Sequence, residues 1–252
     1  MPSPFPDLRS LCVRQSPSST RSGVQAGFDL GMPGSPDLKR HALHEVYAAS
    51  AADAAAADGF ALALALRAST RPLVWIVEGR RRNEAGSPYA TGLKAWGLAP
   101  ADVLLVRVRD APALLAAAEE ALRSGAAGAV VMSGWGEHRA HDLTASRRLS
   151  LAASEGGTVA VLARAAAQPR PSAAETRWRV HAAPSTRLEA VDDDRAPGRP
   201  AFHVALTRSR GGFRPRQWIM EWDREQRSFV EPQTPGDLVS LPVGRPAGAR
   251  AA

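Results

Sequence analysis

Arginine and tryptophan alternate in the C-terminal part of the chain, in a pattern that could contact DNA or a protein partner. In the segment TRWRV, Arg177 and Arg179 fall on one face of a predicted strand and Trp178 on the other. Arginine can bind phosphate groups, and tryptophan can stack on bases. The same types of residue recur further along the chain, at Arg208, Arg210, Arg214, Arg216, Trp218 and Trp222.

A purely structural role for these residues is the alternative. The three tryptophans would then pack in the core, and the arginines would protect an edge strand from aggregation. Composition leaves both interpretations open. The formal charge of +7 and the isoelectric point near 10.8 fit a nucleic-acid-binding surface. Codon bias toward Arg, Ala and Gly would give the same charge.

Histidines and acids occur together after one predicted strand, at Glu137–His138 and His141–Asp142. Two histidines three residues apart, with carboxylates beside them, have the chemistry of zinc ligands. No third ligand is evident, so we expect neither a metal nor another cofactor. The chain also has no G-x-S-x-G elbow, and the sequence therefore gives no basis for hydrolase chemistry.

A loop of small residues between a predicted strand and a predicted helix, within Ala42–Arg67, has the position of a phosphate-binding P-loop. That motif requires G-x-x-x-x-G-K-[ST], because backbone N–H groups surround the phosphates and the Lys reaches the β- and γ-oxygens. Between Tyr47 and Asp58 the chain has neither Gly nor Lys, and Asp53 would repel phosphate. We therefore predict a degenerate loop that binds no nucleotide.

Five blocks of sequence, ALHEVYAA, GFALALALR, LTASRRLSLAA, PSAAETRWRV and QWIMEWD, resemble the ImuA family of RecA-like mutasome proteins and, more distantly, the RecA recombinase core. In this alignment Ala54 and Ala55 replace the P-loop Lys and Thr. Ser133 stands where the Mg²⁺-holding acid (Walker B) is expected. Glu78 lies one position from the acid that activates water, but an isolated Glu at a strand end is typically a solvated loop residue. The resemblance therefore implies a protein without ATPase or other enzymatic activity.

The function implied by the resemblance is that of an accessory protein in SOS-induced, error-prone translesion DNA synthesis. The implied partners are an ImuB-like polymerase homologue and the error-prone polymerase complex, with RecA as a further candidate. The arginine-rich hairpin, rather than the resemblance, predicts weak, sequence-independent binding of single-stranded DNA. The alternatives are a DNA-binding factor that uses the arginine-rich hairpin, an ATPase with an unconventional site, or a SulA-like cell-division inhibitor. We expect the main partner contact between Phe202 and the end of the chain, at Trp218, Ile219, Met220, Trp222 and Phe229.

Strand and helix signals alternate regularly from Leu43 to Arg164. The elements that they predict would position the candidate residues of the loop and of the histidine-containing segment. The predicted strands are Leu43–Tyr47, Leu73–Glu78, Val103–Val108, Ala129–Met132 and Thr158–Ala163. The predicted helices lie between Ser87–Pro88 and Gly97, at Ala111–Arg123 with Asp110 as cap, and at Leu143–Ser154 with Asp142 as cap. Such repeated units predict an α/β fold with a mostly parallel sheet covered by helices, here RecA-like.

Three further strands follow without helices between them, at Thr176–Ala182, Phe202–Arg208 and Gln217–Asp223. The last two should form a hairpin through Gly211–Gly212, and so an antiparallel extension of the sheet. We assign residues 25–231 to the core and predict disordered tails at 1–24 and 232–252.

The composition is that of a soluble protein. A chain of 252 residues with 44% hydrophobic content can bury a core. Its one cysteine, Cys12, excludes an internal disulfide. The N-terminus lacks the features of a signal peptide, and no apolar run is long enough to span a bilayer. We expect a cytoplasmic protein without membrane contact.

Overall fold

The computed structural model of the protein describes residues 27–70, 72–185 and 198–232. The tails predicted at 1–24 and 232–252 lie outside the described residues, apart from Pro232. The strands are β1 (Gly27–Phe28), β2 (Leu38–Lys39), β3 (Leu43–Ala48), β4 (Leu73–Glu78), β5 (Val103–Val108), β6 (Ala129–Trp135), β7 (Val159–Ala165), β8 (Thr176–Ala182), β9 (Ala201–Ser209), β10 (Arg216–Asp223) and β11 (Ser228–Val230). The α-helices are α1 (Ala54–Ala68), α2 (Gly79–Ala85), α3 (Ala90–Ala95), α4 (Ala111–Arg123) and α5 (Leu143–Gly156).

One nine-stranded sheet contains all strands from β3 onward, in the order β11-β10-β9-β8-β3-β7-β6-β4-β5. The strands from β8 to β5 in this order pair in parallel. The strands β9, β10 and β11 add to β8 in antiparallel fashion. The predicted α/β fold with a C-terminal antiparallel extension is confirmed. The strand that precedes the loop predicted to be a degenerate P-loop, β3, lies inside the sheet between β7 and β8.

Helices cover the two faces of the sheet unequally. Helix α1 packs on one face, together with the segment that carries β1 and β2. Helices α4 and α5 pack on the opposite face, over the parallel strands. Helix α1 is apolar nearly all round, and accordingly it is buried on nearly all sides. None of the helices among the described residues is long and apolar enough to cross a membrane.

The ends of the helices follow local chemistry in α4 and α5. The Asp110 carboxylate accepts a hydrogen bond from the Ala113 N–H at 3.0 Å, and Asp142 accepts one from the Ala145 N–H at 2.7 Å. Both predicted caps are confirmed. Helix α5 continues to Gly156 and ends where Gly157 adopts a left-handed conformation, with φ of 62°.

Two helices between β4 and β5 differ from the prediction. Helix α3 begins at Ala90 rather than at Ser87–Pro88, because Tyr89 is still extended, with φ −106° and ψ 125°. Helix α2, with the sequence GRRRNEA, has no apolar periodicity and is not predicted. Its buried residue is Arg81, so a tertiary ionic contact, rather than an apolar face, attaches this helix to the core.

An aromatic cluster joins α1 to the antiparallel extension. The ring of Phe60 on α1 lies 5.4 Å from Trp178, 6.0 Å from Phe202 and 5.3 Å from Phe229, measured between centroids. All four side chains are buried. The C-terminal strands are therefore part of the main core.

Candidate functional site

A pocket of about 540 Å³ opens at the carboxyl ends of β3 and β7 and beside β8 and β9. In parallel α/β sheets this edge is where ligands usually bind. The pocket walls come from the loop after β3, the loop after β7, and the strands β8 and β9. Its polar lining includes Ser50, Gln168, Arg177, Arg179, Thr207 and Arg208.

The loop between β3 and α1 is held together by its own carboxylate. Asp53 Oδ2 accepts hydrogen bonds from the N–H of Ser50 at 3.1 Å and from its hydroxyl at 2.7 Å. Asp53 Oδ1 accepts one from the N–H of Ala182 at 2.9 Å. Burial opposes the charged form, but the hydrogen bonds from Ala182 and Ser50 outweigh it and lower the pKa of Asp53. The loop thus supplies its own anion to the donors of Ser50 and to the N–H of Ala182.

The two positions aligned with the P-loop Lys and Thr lie at the start of α1, directly after this loop. Ala54 is 2% exposed and packs in the core, whereas Ala55 is exposed. Neither side chain can donate a hydrogen bond. A longer side chain at Ala54 would have to displace its core neighbours.

Ser133, aligned with the Walker B acid, belongs to a buried polar network. Its hydroxyl donates to Asp58 Oδ1 at 2.8 Å and accepts from Trp75 Nε1 at 2.9 Å. Asp58 Oδ2 also pairs with Arg81 Nη2 at 2.5 Å. Burial raises the pKa of Asp58, while Arg81 and Ser133 act in the opposite direction. The Ser133 hydroxyl therefore ties β6 to α1 rather than facing a solvent-filled cleft.

Sequence reasoning missed Asp58 and Arg81. A single acid inside an otherwise apolar helix is the signal that could have identified Asp58, because a buried carboxylate needs a cation. Nothing in the sequence identifies Arg81 as its partner.

Glu78 was expected to be a solvated loop residue, and this is wrong. The side chain lies at the end of β4, and the residue is 6% exposed. Its Oε2 accepts a hydrogen bond from the backbone N–H of Trp135 at 3.0 Å. Because the ends of β4 and β6 meet here, Glu78 satisfies a backbone donor.

Arg177 forms the inner wall of the pocket. Its Nε donates to Glu45 Oε2 at 2.8 Å, and its guanidinium lies 5.7 Å from the centre of the Tyr47 ring. Glu45 is 3% exposed, so this is a largely buried ion pair. The charge of Arg177 is therefore mostly neutralised inside the protein, and its main effect is to fix the wall.

A β-bulge brings Arg208 to the same wall. Across β8 and β9, Arg177 is opposite Arg208 but Trp178 is opposite Leu206, so Thr207 is an extra residue. Simple alternation would place Arg208 with Leu206, on the face that packs against α1. The bulge turns it instead to line the pocket with Arg177 and Arg179.

The other candidate arginines lie elsewhere. Arg210 Nη1 contacts the carbonyl of Ala173 at 3.3 Å, and Arg214 is exposed in the turn between β9 and β10. Arg216 lies 5.7 Å from the centre of the Trp218 ring, whose strand packs toward α1. The six arginines are therefore not one continuous surface.

The aromatic candidates pack in the core, as the structural alternative predicts. Trp178 is fully buried, Trp222 is 1% exposed and Trp218 is 8% exposed. Their strands close over α1, which removes these rings from any contact surface. Among the five apolar residues expected to anchor a partner, Ile219 is the exposed one, at 55%. The expectation of exposed aromatic anchors is wrong for Trp218, Trp222 and Phe229, and Met220 is buried as well.

The histidine-containing loop after β6 does not gather a metal site. His141 is buried, and burial together with the charge of Arg164 lowers its pKa to about 4. His138 Nδ1 accepts a hydrogen bond from the Ala140 N–H at 3.0 Å. In the part of the chain that the structure describes, no group of three or more His, Cys, Asp or Glu side chains could hold a metal ion.

Comparison with known proteins supports the predicted resemblance. No family model matches the sequence. The chain is 38% identical over 143 residues to Protein ImuA from each of two Caulobacter vibrioides strains, and the match covers 53% of this chain and 55% of the relative. The chain thus spans about half the length of the curated relatives it matches. The resemblance to ImuA is confirmed, and the more distant one to RecA stays a prediction.

A solved structure, SulA from Pseudomonas aeruginosa, covers 49% of this chain and 97% of its own chain. The sequences are 25% identical, and the TM-score is 0.35. Superposition at this level carries no argument about fold or function.

Proposed function

We propose that this protein is a noncatalytic accessory factor of SOS-induced, error-prone translesion DNA synthesis, which acts by binding an ImuB-like polymerase homologue. The error-prone polymerase complex is the wider assembly, and RecA is a further candidate contact. Similarity to ImuA over 143 residues supports this role. The role of the whole relative is carried over as a proposal, because the chain spans about half of it.

The state of the degenerate loop is the observation that carries the noncatalytic assignment. The Asp53 carboxylate engages the donors of Ser50 and Ala182, and Ala54 is packed in the core where a phosphate-binding Lys would be needed. Phosphate would therefore meet a negative charge and no lysine. Mg-ATP should neither bind tightly nor be hydrolysed.

Titration calorimetry with Mg-ATP tests this first half of the proposal. We expect no heat of binding beyond dilution and no phosphate release in a coupled assay. The variant Ala54→Lys should not gain binding, because the loop still lacks the glycines that would let it surround a phosphate. Micromolar affinity of the unmodified chain for Mg-ATP would contradict the proposal.

The partner surface that fits best is the sheet face opposite α1, at the antiparallel extension. Over the parallel strands this face is covered by α4 and α5. Over β8, β9 and β10 it presents Arg179, His181 and Gln217, which are all exposed, and Ile219. An exposed apolar residue among polar groups, with arginine nearby, has the composition of a protein interface.

A matched pair of variants tests this surface in the full chain. Ile219 on β10 and Leu151 on α5 are both 55% exposed. We expect Ile219→Asp to reduce capture of the ImuB-like neighbour in a pull-down, and Leu151→Asp to leave it unchanged. Equal capture by both variants would place the contact elsewhere. A truncation near Ala183 is unsuitable, because it would remove Phe202 and Phe229 from around Phe60.

Gene neighbourhood separates this role from that of a SulA-like division inhibitor. An adjacent gene for an ImuB-like protein favours translesion synthesis. Absence of such a gene, together with failure of the pull-down, would count against the proposal.

A further inference from the structure

We propose that the arginine-lined pocket binds the phosphate backbone of single-stranded DNA, with adjacent bases stacked on His181 and His203. This goes beyond the proposed protein-binding role and does not depend on it. The pocket lies where the degenerate loop has lost its nucleotide chemistry, but its cations come from other strands, β8 and β9. They are available to a different phosphate ligand.

The charge of the pocket is the first reason. None of the described residues that line it is an acid, and three are arginines. Arg177 is paired with Glu45, which leaves Arg179 and Arg208 as the cations that can face a ligand. Arg179 donates to the carbonyl of Ala49 at 3.3 Å. Arg208 donates to the carbonyl of Ser172 at 2.9 Å. Each guanidinium has five N–H donors, so these backbone contacts hold it in place and leave donors for phosphate.

The position of the two cations is the second reason. The bulge at Thr207 places Arg208 beside Arg177, and Arg179 follows two residues later on the same face of β8. Gln168, from the loop after β7, adds a neutral amide to the lining. A pocket of about 540 Å³ with fixed cations is large enough for one nucleotide unit of a strand and open enough for the strand to continue.

The histidine pair is the third reason, and it favours nucleic acid over an acidic peptide. His181 on β8 and His203 on β9 are directly opposite each other, and His181 follows Arg179 on the same face. Their rings are stacked, with centroids 5.8 Å apart and planes at 19°. Such flat rings can stack on unpaired bases, an interaction that a peptide rich in acidic side chains does not make.

The same contacts imply weak binding without sequence preference. Phosphate contacts and ring stacking do not read the edges of bases. Asp53 lies beside this path, with its Oδ2 3.5 Å from His181 Nδ1, and its charge opposes phosphate. The negative charge of Asp53 thus partly offsets the positive charge of the two arginines, which keeps the affinity for DNA low.

Fluorescence anisotropy with a labelled oligothymidylate and the full chain tests the proposal. The key variant is Arg179→Gln with Arg208→Gln. The control removes the same charge from exposed arginines on α5 and on the β10–β11 turn, by Arg147→Gln with Arg224→Gln. Circular dichroism should show that both are folded.

We expect the pocket variant to bind at least about tenfold more weakly than the control. Its slope of log affinity against log salt should be shallower by about 1.4, since each single-strand phosphate contact contributes about 0.7.

Three outcomes would overturn the proposal. Equal loss in both double variants would show that binding follows net charge alone. Displacement of the oligonucleotide by Mg-ATP at equal concentration would assign the pocket to a mononucleotide. Equal competition by oligoglutamate would assign it to an acidic peptide.

An oligonucleotide without bases distinguishes the phosphate contacts of the arginines from the stacking contacts of the histidines. An abasic oligonucleotide should still respond to the arginine variant but should lose the effect of His203→Ala. If His203→Ala weakens binding of abasic and normal strands equally, the stacking part is wrong. Ile219 lies across β9 from His181, so the effect of Ile219→Asp on oligonucleotide binding shows whether the DNA site extends onto the surface proposed for the protein partner.

Discussion

Replacing Arg81 with methionine should reduce the free energy of unfolding by about 3–5 kcal/mol, because the Asp58 carboxylate would remain buried without its cation. The Arg81 side chain is 3% exposed and that of Asp58 is 16% exposed, and their charged atoms are 2.5 Å apart. Methionine preserves most of the stem of the side chain, so the lost charge dominates. The same carboxylate accepts a hydrogen bond from the Ser133 hydroxyl, so the pair also holds β6 against α1.

Urea unfolding of the full chain measures this cost, and a neighbouring arginine supplies the control. Arg82 lies on the same helix but is exposed, so Arg82→Met should change stability by no more than about 0.5 kcal/mol. Adding Asp58→Asn to Arg81→Met removes the stranded charge and should restore about 1–3 kcal/mol. A cost for Arg81→Met as small as that of Arg82→Met would refute the buried pair.

The pH dependence provides an independent readout. Burial already raises the pKa of Asp58, and Arg81 is the group that most opposes this rise. Without Arg81 the folded-state pKa should rise further above the unfolded value. The cost of burying the charged Asp58 carboxylate is then full at pH values above its folded-state pKa. It disappears as the pH falls toward the pKa of this group in the unfolded chain. The stability gap between Arg81→Met and Arg82→Met should therefore narrow at acid pH. A gap that stays constant would contradict the argument.

Three further predictions concern the core and its histidines. The free energy of unfolding should fall as the pH is lowered from 6.5 to about 4. Burial lowers the pKa of His44 and His141 to about 4, so over most of this range both are neutral in the folded chain and take up a proton on unfolding. In His44→Gln the free energy of unfolding, measured with urea, should fall less steeply over this range. Phe60→Ala should cost about 3–5 kcal/mol in a thermal melt, because the ring contacts three other aromatic rings; a cost below about 1 kcal/mol would argue against the cluster. Gly156→Ala should cost about 1–3 kcal/mol, because its Cβ would overlap a backbone carbonyl of α4, whereas Gly92→Ala has open space and should be neutral or stabilising by the same assay.

Much of the sheet follows from the sequence alone. The strands β4, β5 and β8 have the predicted bounds. An apolar run such as β4, which is buried along its whole length, is typical of a parallel sheet that helices cover on both faces, so the pattern predicts the class of fold. The caps Asp110 and Asp142 are equally local, because each bonds to a backbone N–H three residues away. The start of α3 and the whole of α2 are missed, since short polar helices depend on contacts outside their own segment.

The candidate site is less predictable. The sequence identifies Arg177, Arg179 and Arg208 by type, together with arginines that lie elsewhere. The direction of Arg208 depends on the bulge at Thr207, and no local pattern marks that bulge. Burial of Trp218 depends on how its strand closes over α1. The sequence alone does not decide the direction of Arg208 or the burial of Trp218, because a β-strand has two faces and the rest of the fold decides which one is covered.

What the sequence determines by itself is local: the alternation that makes strands and helices, the caps, and the absence of Lys and Gly from the loop before α1. The tertiary structure decides which charges meet. Arg177 and Glu45 are 132 residues apart in the chain, and Asp58 and Ser133 are 75 residues apart. These pairs form because neighbouring strands and the helix on them bring distant segments within a hydrogen bond of one another. Buried charges require such partners, and only the folded chain supplies them.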